Sequence, residues 1–310
     1  MLPACLTTLL WSFCAVASRR SVEQLGENAA NFWRILLAVA VLGLVSHLNG
    51  IAFHAEAFGF LFLSGLVGFG LGDLGLYYAL SRLGSRLTLL LAQCGAVPIA
   101  FFLEWQWLGT TLRWGQAGAV LVVLSGITLA LLPRRGELPE GAGRRFWAGV
   151  GFGVVAAVGQ GAGGVFSRLA YEAQGTFERG GGSVLENIFV GAQAGYQRLL
   201  GGFLIIALAF AWDRWRSLGR VGPILPRAGD SRQVKTGWVA LNAFSGPILG
   251  VALFQWALTT TPAAIVQSIV ALTPIVVIPM AWLMEGDRPR PRALVGAAVA
   301  VAGVILLALV

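Results

Sequence analysis

From Gly237 to Trp282 the chain carries no charged side chain; its strongly polar groups are amides and hydroxyls alone. A helical bilayer crossing needs about 20 apolar residues, within a range of ~17–25. This run is therefore long enough for two crossings. In hydrocarbon the backbone must satisfy its own hydrogen bonds, so the crossings must be helices or a closed barrel. The apolar design of Leu249 to Val310 also occurs earlier, at Leu71 to Leu132. Leu71-Gly72, Ala79-Leu80 and Gly118 recur 178 residues later as Leu249-Gly250, Ala257-Leu258 and Gly296. Gly126 finds a counterpart in Gly303 if the spacing slips by one, and Pro98 in Pro274 if it slips by two. An apolar segment that occurs twice points to a duplicated membrane protein.

The totals agree. Charged residues make up 12% of the 310 and hydrophobic ones 57%, with a mean hydropathy of +0.77. Globular domains carry about 25% charged residues, so this chain has too little polar surface for a soluble protein of its size. The net charge of +8 would suggest nucleic acid in a soluble protein. Here the basic residues lie mostly between apolar spans, which fits loops facing anionic lipid or cytoplasm and no nucleic-acid partner. Cys5, Cys14 and Cys94 sit in apolar stretches without CxxC spacing and read as small packing residues rather than a disulfide or zinc framework.

Ten spans are expected, at roughly 2–18, 30–48, 58–80, 85–108, 113–133, 146–170, 194–212, 237–260, 262–284 and 292–310. Leu2 to Ser18 is followed, not preceded, by Arg19-Arg20, the reverse of a signal peptide, so it reads as a retained first span. The Thr261-Pro262 joint is the tightest, with proline suited to the first turn of a new helix. Two longer joints, Ala173 to Gln193 (with Arg179-Gly-Gly-Gly-Ser183) and the basic Asp213 to Thr236, read as loops able to hold a short surface helix.

The duplication reaches the front halves too. Cys14-Ala-Val-Ala-Ser-Arg19 matches Gly163-Gly-Val-Phe-Ser-Arg168, and Trp33-Arg34-Ile35-Leu36 matches Gln197-Arg198-Leu199-Leu200. Spans 1–5 thus map onto spans 6–10. Five is odd, so the second copy enters the membrane from the opposite side. The expected fold is an all-α integral membrane protein of ten transmembrane helices, built as two inverted five-helix repeats over residues 1–135 and 144–310. That plan places a site near the midplane between the halves.

With these residues on view, the chain resembles the drug/metabolite transporter superfamily, of the EamA type. The resemblance rests on Ala257-Leu258, Pro262, Leu272-Thr273-Pro274, Glu285-Gly286, Gly296 and Gly303-Val304, and on Gly72-Asp73, Tyr77, Ala79-Leu80 and Leu83-Gly84. The first copy departs from the pattern near Gly109, where no glutamate matches Glu285. The resemblance implies a permease for small metabolites, often an exporter, without an ATPase or cofactor. It leaves the substrate open.

Candidate working residues follow from the cost of polar groups in lipid. Asp73 lies inside span three, where a carboxylate faces the bundle interior or water. It is a candidate for substrate binding or proton coupling, against the plainer role of an inter-helix hydrogen bond. Glu104, flanked by Trp105 and Trp107, is a second proton-coupling candidate, but fits the interfacial belt at least as well. Glu285 reads as tying the short loop before span ten. Arg34 and Arg198 occupy equivalent places; each could snorkel to the headgroups, attract anionic groups, or pair with Asp73 or Glu104. Buried amides need partners, which singles out Gln93, Gln160, Asn242, Gln255 and Gln267. Tyr77 and Gln255 are repeat equivalents, as are Tyr78 and Trp256. The expected substrate-binding set is Asp73, Tyr77, Tyr78, Gln93, Gln255, Trp256 and Gln267, with Trp11 as a further wall. Gly65, Gly68, Gly72 and Gly75 give span three a smooth face for close packing or sliding.

Other chemistries are missing. Val234 stands where a phosphate loop ending at Lys235 would need glycine, and no HExxH or GxSxG occurs. His47 and His54, seven residues apart, would lie about 10 Å apart on a helix, too far to share an ion. On sidedness, 17 of the 22 Lys and Arg fall in loops 1–2, 3–4, 5–6, 7–8 and 9–10. The positive-inside rule puts those loops in the cytoplasm and both termini outside, whereas the resemblance implies termini inside. The reading is a secondary permease of a bacterial cell membrane, a monomer or homodimer. Its substrate is a small polar or amphipathic metabolite, carried by alternating access. A membrane-embedded lipid-modifying enzyme and a non-transporting scaffold or sensor are the alternatives.

Overall fold

The computed structural model describes residues 1–48, 50, 55–110, 113–131, 143–175, 182–216, 236–285 and 291–309. Among them every regular element is helical. The first two spans are α1 (Leu2–Leu25) and α2 (Glu27–Leu48). The third joins α3 (Ala55–Gly65), a π-helical stretch Leu66–Gly72 and the start of α4 (Asp73–Leu89), which breaks at Gly84. The fourth takes the rest of α4, a π-helical stretch Leu90–Cys94 and α5 (Gly95–Leu108). Then follow α6 (Trp114–Leu131), α7 (Gly143–Ala173) and α8 (Val184–Arg216). The eighth joins α9 (Thr236–Ala243), a π-helical stretch Phe244–Ile248 and α10 (Leu249–Thr260). The ninth joins α11 (Ala263–Val270) and α12 (Thr273–Glu285), and α13 (Pro291–Leu309) is the tenth. Seven of these rods are long and apolar enough, in their described residues, to cross a bilayer; α6 and α13 contribute shorter apolar stretches.

Two expected boundaries move. The first span runs past Ser18 to Leu25 because Arg19 is held in the helix by Glu23, 3.1 Å away and one turn on. The seventh starts at Val184, not 194, so much of the expected Ala173–Gln193 loop is helix. The cause is a reciprocal cap: Ser183 N–H donates to Glu186 Oε2 (2.7 Å) and Glu186 N–H to Ser183 Oγ (3.3 Å). Most of the expected loop from Asp213 to Thr236 lies outside the described residues, as does His54.

The bundle is inside-out relative to a soluble protein. Phe13, Phe102, Trp105, Leu204 and Leu208 face outward, while serines, threonines, amides and two arginines are buried. The irregular stretches come in pairs. Leu66–Gly72 of the third span and Phe244–Ile248 of the eighth overlap when shifted by 178 residues. The π-helical Leu90–Cys94 corresponds to the break at Ala271–Leu272 between α11 and α12. Gly84 (φ 73°) and Pro262 (ψ 143°), both non-helical, hold the equivalent tight joints. Contacts between the halves pair in the same way. The third span packs on the sixth as the eighth packs on the first, and the fourth on the sixth as the ninth on the first. The second packs on its own mate, the seventh, and the fifth on the tenth.

Glycine sets these approaches. A Cβ on Gly65 would overlap the Arg198 carbonyl of the seventh span. On Gly72 it would lie 3.1 Å from Gly159 Cα, and on Gly75 2.7 Å from the Phe152 carbonyl, both in the sixth. The expected glycine face of span three is therefore a seam against the other half, in the manner of small-residue packing between membrane helices. Freed carbonyls at the break in the ninth span are met from α1: Thr8 Oγ1 donates to Ile269 O at 3.1 Å and Ser12 Oγ to Thr273 O at 3.3 Å.

Candidate functional site: a cavity between the halves

A cavity of about 80 Å³ lies where the first, second, third, fourth, sixth, seventh and eighth spans meet. At ~10–15 Å³ per water this is room for roughly five waters or more. Its walls include Trp11, Phe69, Leu76 and Val251; its polar groups are Ser18, Arg34, Asp73, Thr88, Gln93, Gln160 and Arg198. Trp11 leans on Phe254, ring centroids 5.2 Å apart. The π-helical stretches open this space, since Gly68 and Phe69 of one and Gly246 and Pro247 of the other line it.

The two repeat-equivalent arginines are 4% and 2% exposed, so neither snorkels. Arg34 forms an ion pair with Asp73, donates to Asn31 Oδ1 (3.0 Å) and lies over the Tyr77 ring, 4.9 Å from its centroid. Arg198 lies over Phe69 (4.9 Å) and Phe254 (5.7 Å). Among the described residues it has no carboxylate within ion-pair distance, and its buried Nε has no acceptor. The seats correspond. A Cβ on Gly246 would fall 2.6 Å from Cys14 Sγ and 3.4 Å from Arg34 Nη1; one on Gly68 would fall 2.6 Å from Arg198 Nη2, and one on Gly163 2.7 Å. Gly68 and Gly246 are 178 residues apart, and Gly163 is the repeat partner of Cys14. The carboxylate is what differs, because the residue equivalent to Asp73 is Val251.

Polar clusters bound the cavity at both ends of the bundle. Toward Pro262, Ser64, Ser167 and Gln255 bond together: Gln255 Nε2 donates to Ser167 Oγ (3.0 Å), which is 3.0 Å from Ser64 Oγ. Tyr171 adds its hydroxyl to Gln255 Oε1 at 2.9 Å. Toward Gly84, Asn242, Ser18 and Tyr77 do the same. Asn242 Nδ2 donates to the Tyr77 hydroxyl (3.0 Å), Ser18 Oγ donates to Asn242 Oδ1 (3.2 Å), and Ser18 and Tyr77 oxygens are 3.3 Å apart. The two triads are the same three positions of the repeat: Ser64 with Asn242, Ser167 with Ser18, Gln255 with Tyr77. Each ties spans of one half to a span of the other.

Glu104 is 1% exposed and does not join the belt that its neighbours Trp105 and Trp107, both exposed, belong to. Its two oxygens accept the Ala263 (2.6 Å) and Ala264 (3.0 Å) N–H groups at the start of α11. Pro262 precedes this helix rather than opening its first turn, so those N–H groups have no intrahelical acceptor and Glu104 caps them from the other half. Arg168 Nε stands 3.8 Å from the same carboxylate.

Of the expected binding set, Asp73 and Gln93 line the cavity; Gln93 Oε1 is buried without a partner. Gln267 stands one layer behind, donating to the Gln160 carbonyl at 2.9 Å while Gln160 lines the space. Tyr77 and Gln255 sit in the two triads. Tyr78 points away, stacked on Phe152 and bonded by Asn28 Nδ2 at 3.0 Å. Trp256 is half-buried and outside the lining. The Glu285 side chain lies outside the described residues. Among the described residues no group of three or more His, Cys, Asp and Glu could hold a metal.

The chain is similar in fold to a solved crystal structure at 18% identity, with a TM-score of 0.67, covering 99% of this chain and 96% of that one. No curated protein matches it. The profile of the EamA-like transporter family matches residues 1–132 and again 147–309, nearly the whole chain. With its ten-rod helical architecture and its apolar exterior, this multi-pass membrane protein belongs to the EamA-like transporter family.

Proposed function

We propose that this transporter is a secondary permease that exports a small polar or amphipathic metabolite by alternating access around the cavity between its halves. The observation that carries the reading is the pair of mirrored triads. A hydrogen bond between membrane helices is worth ~0.6 kcal/mol on average and at most ~1.7. Three such bonds amount to about 2 kcal/mol, a bias of roughly 30-fold. Such a bias keeps an end shut most of the time yet leaves the opened form populated at about 3%, as a gate requires. Because the triads occupy equivalent positions, rocking of the halves can release one while holding the other.

The direction follows from the charges. The basic loops lie at the Gly84 end, which the positive-inside rule assigns to the cytoplasm. The cavity extends that way, past Leu76 and Leu80 to Thr88 and Leu89, while the Pro262 end is filled by the Gln255 network and the Glu104 cap. A cavity leaning toward the cytoplasm and closed to the outside suits loading for export. A non-transporting scaffold has no use for a carboxylate, an arginine and an unpartnered amide around one space.

The test uses cysteine pairs in reconstituted vesicles. Ser64→Cys with Ser167→Cys bridges the Pro262 end, and Asn242→Cys beside native Cys14 bridges the other (Cys14 Sγ is 3.2 Å from Asn242 Oδ1). Oxidation of either pair should stop flux of amino acid, amine, sugar or organic-acid solutes, and reductant should restore it. Flux unchanged with both ends bridged would sink the alternating-access reading. No solute crossing faster than in empty vesicles would sink the permease.

A further inference from the structure

Arg198 is a cation held in a built socket with nothing to neutralise it. An unpaired charge in a low-dielectric interior is costly, and an ionisable group at membrane depth marks a function. Two aromatic faces offset part of that cost. Glycines from two spans make room for the guanidinium, since a Cβ on Gly68 or Gly163 would strike its Nη2. Its repeat partner occupies the equivalent socket and has a carboxylate, Asp73, which Arg198 lacks because Val251 stands in that place. Both arginines, Asp73 and Val251 all face the same cavity. The formal charges of Arg34, Asp73 and Arg198 leave the space with a net +1.

We propose that Arg198 is the binding site for the carboxylate of a small monoanionic substrate, which takes the place that Asp73 fills in the other half. This deepens the permease reading and rests on it. The guanidinium fork suits a carboxylate by two parallel hydrogen bonds. One net positive charge matches one negative charge, so a dianion such as phosphate at pH 8 leaves an excess charge in the cavity and binds poorly. Aromatic walls on Trp11 and Phe69 favour an apolar body behind the carboxylate. In this account Asp73 neutralises Arg34 and thereby confines anion binding to Arg198.

The probes are benzoate, its neutral isostere benzamide, and inorganic phosphate, measured by radiolabelled benzoate binding to the purified full-length protein in detergent. Benzoate should bind and be displaced by unlabelled benzoate, and neither benzamide nor phosphate should displace it at equal concentration. Arg198→Gln should raise Kd at least tenfold, and Arg198→Lys should retain more affinity than Arg198→Gln. Val251→Asp installs the missing counter-charge and should also weaken binding at least tenfold with Arg198 untouched. Equal displacement by benzamide, or Arg198→Gln binding like the parent, overturns the proposal without any appeal to folding of a variant in the first case. So does an absence of benzoate binding by the parent protein at millimolar concentration. Vesicle uptake separates the two failures. If neutral or cationic solutes cross while no anion binds, the anion site is wrong and the permease stands; if nothing crosses, the permease itself is wrong.

Discussion

Removing the Glu104 carboxylate should destabilise the protein more than any other single loss of one polar side chain outside the cavity. Its oxygens accept two backbone N–H groups, at 2.6 and 3.0 Å, that start α11. Charge-assisted hydrogen bonds contribute ~1.5–3 kcal/mol each, and a carboxylate at a helix N-terminus gains ~0.3–1 kcal/mol more from the dipole. In Glu104→Ala both N–H groups would be left buried, since the carboxylate is 1% exposed. Discounting for relaxation, the loss is about 3–5 kcal/mol. Arg168 retains Glu172, 3.3 Å from its Nη2, so the variant does not strand that cation. Glu104→Gln keeps one acceptor oxygen but turns an amide N–H₂ toward the second donor, for about half the loss. The assay is thermal unfolding in detergent micelles, followed by tryptophan fluorescence. At ~2–4 °C per kcal/mol for chains of 150–250 residues, the Ala variant should melt roughly 8 °C or more below the parent. Phe102→Leu, two residues away on the outward face, should stay within about 0.5 kcal/mol. An Ala variant melting within ~2 °C of the parent would falsify the cap as a source of stability.

The glycine seam gives a second prediction: Gly65→Ala, whose Cβ would overlap the Arg198 carbonyl, should cost ~1–3 kcal/mol as overpacking, while Gly118→Ala, with nothing within 4 Å, should be neutral or slightly stabilising. Both are read as melting temperatures. For the ion pair, Asp73→Asn should cost ~3–5 kcal/mol by stranding buried Arg34, and a double-mutant cycle with Arg34→Met should return a coupling above ~1.5 kcal/mol; additive losses would mean the two charges do not interact. Gln255→Leu removes the acceptor of Tyr171 and the donor to Ser167. It should raise labelling of Ser64→Cys by a membrane-impermeant maleimide several-fold from the Pro262 side, and an unchanged labelling rate would show that the triad does not hold that end shut.

The ten rods were legible because hydrophobic run length is a one-dimensional property of the chain. So was the repeat, and with it the pairing of irregular stretches, since Gly84 and Pro262 stand 178 residues apart like the dipeptides around them. Asp73 and Gln93 could be picked out because polar atoms in lipid need an interior space. Tyr78 and Trp256 misled: repeat equivalence fixes position along a span but not the rotation of the span, and Tyr78 is turned onto Phe152. The role of Glu104 needed knowledge of which helix start lies opposite it, a contact 159 residues away in sequence. The Ser183-to-Glu186 cap needed no structure at all. Its three-residue spacing is a helix-start signal, hidden by the glycine run before it. Arg198 was visible as a mate of Arg34, but its lack of a counter-charge followed only from carrying the same offset to Asp73 and finding Val251.

The two kinds of polar contact between the halves differ enough in strength to imply a division of labour. The triads at either end consist of neutral groups, each bond worth ~0.6 kcal/mol on average between membrane helices. The Glu104 cap joins the fourth span to the ninth by two charge-assisted bonds and is worth about twice an entire triad. Motion that opens either end should therefore break the triads and leave the cap intact. The fifth and tenth spans support the same pivot: a Cβ on Gly126 would lie 2.7 Å from the Gly296 carbonyl, and one on Gly303 2.7 Å from Val123 N, so their backbones touch. The fourth, fifth, ninth and tenth spans then form the frame, and the spans that carry Ser18, Arg34, Asp73, Ser167 and Arg198 move against it. On this account Glu104→Ala should loosen the frame and lower stability while access at both ends changes together. Gln255→Leu should change access at one end with stability lowered by no more than ~2 kcal/mol. Maleimide labelling from each side, run beside the melting curves, separates the two outcomes. If Glu104→Ala opens the Pro262 end alone, the cap belongs to that gate and the pivot lies elsewhere.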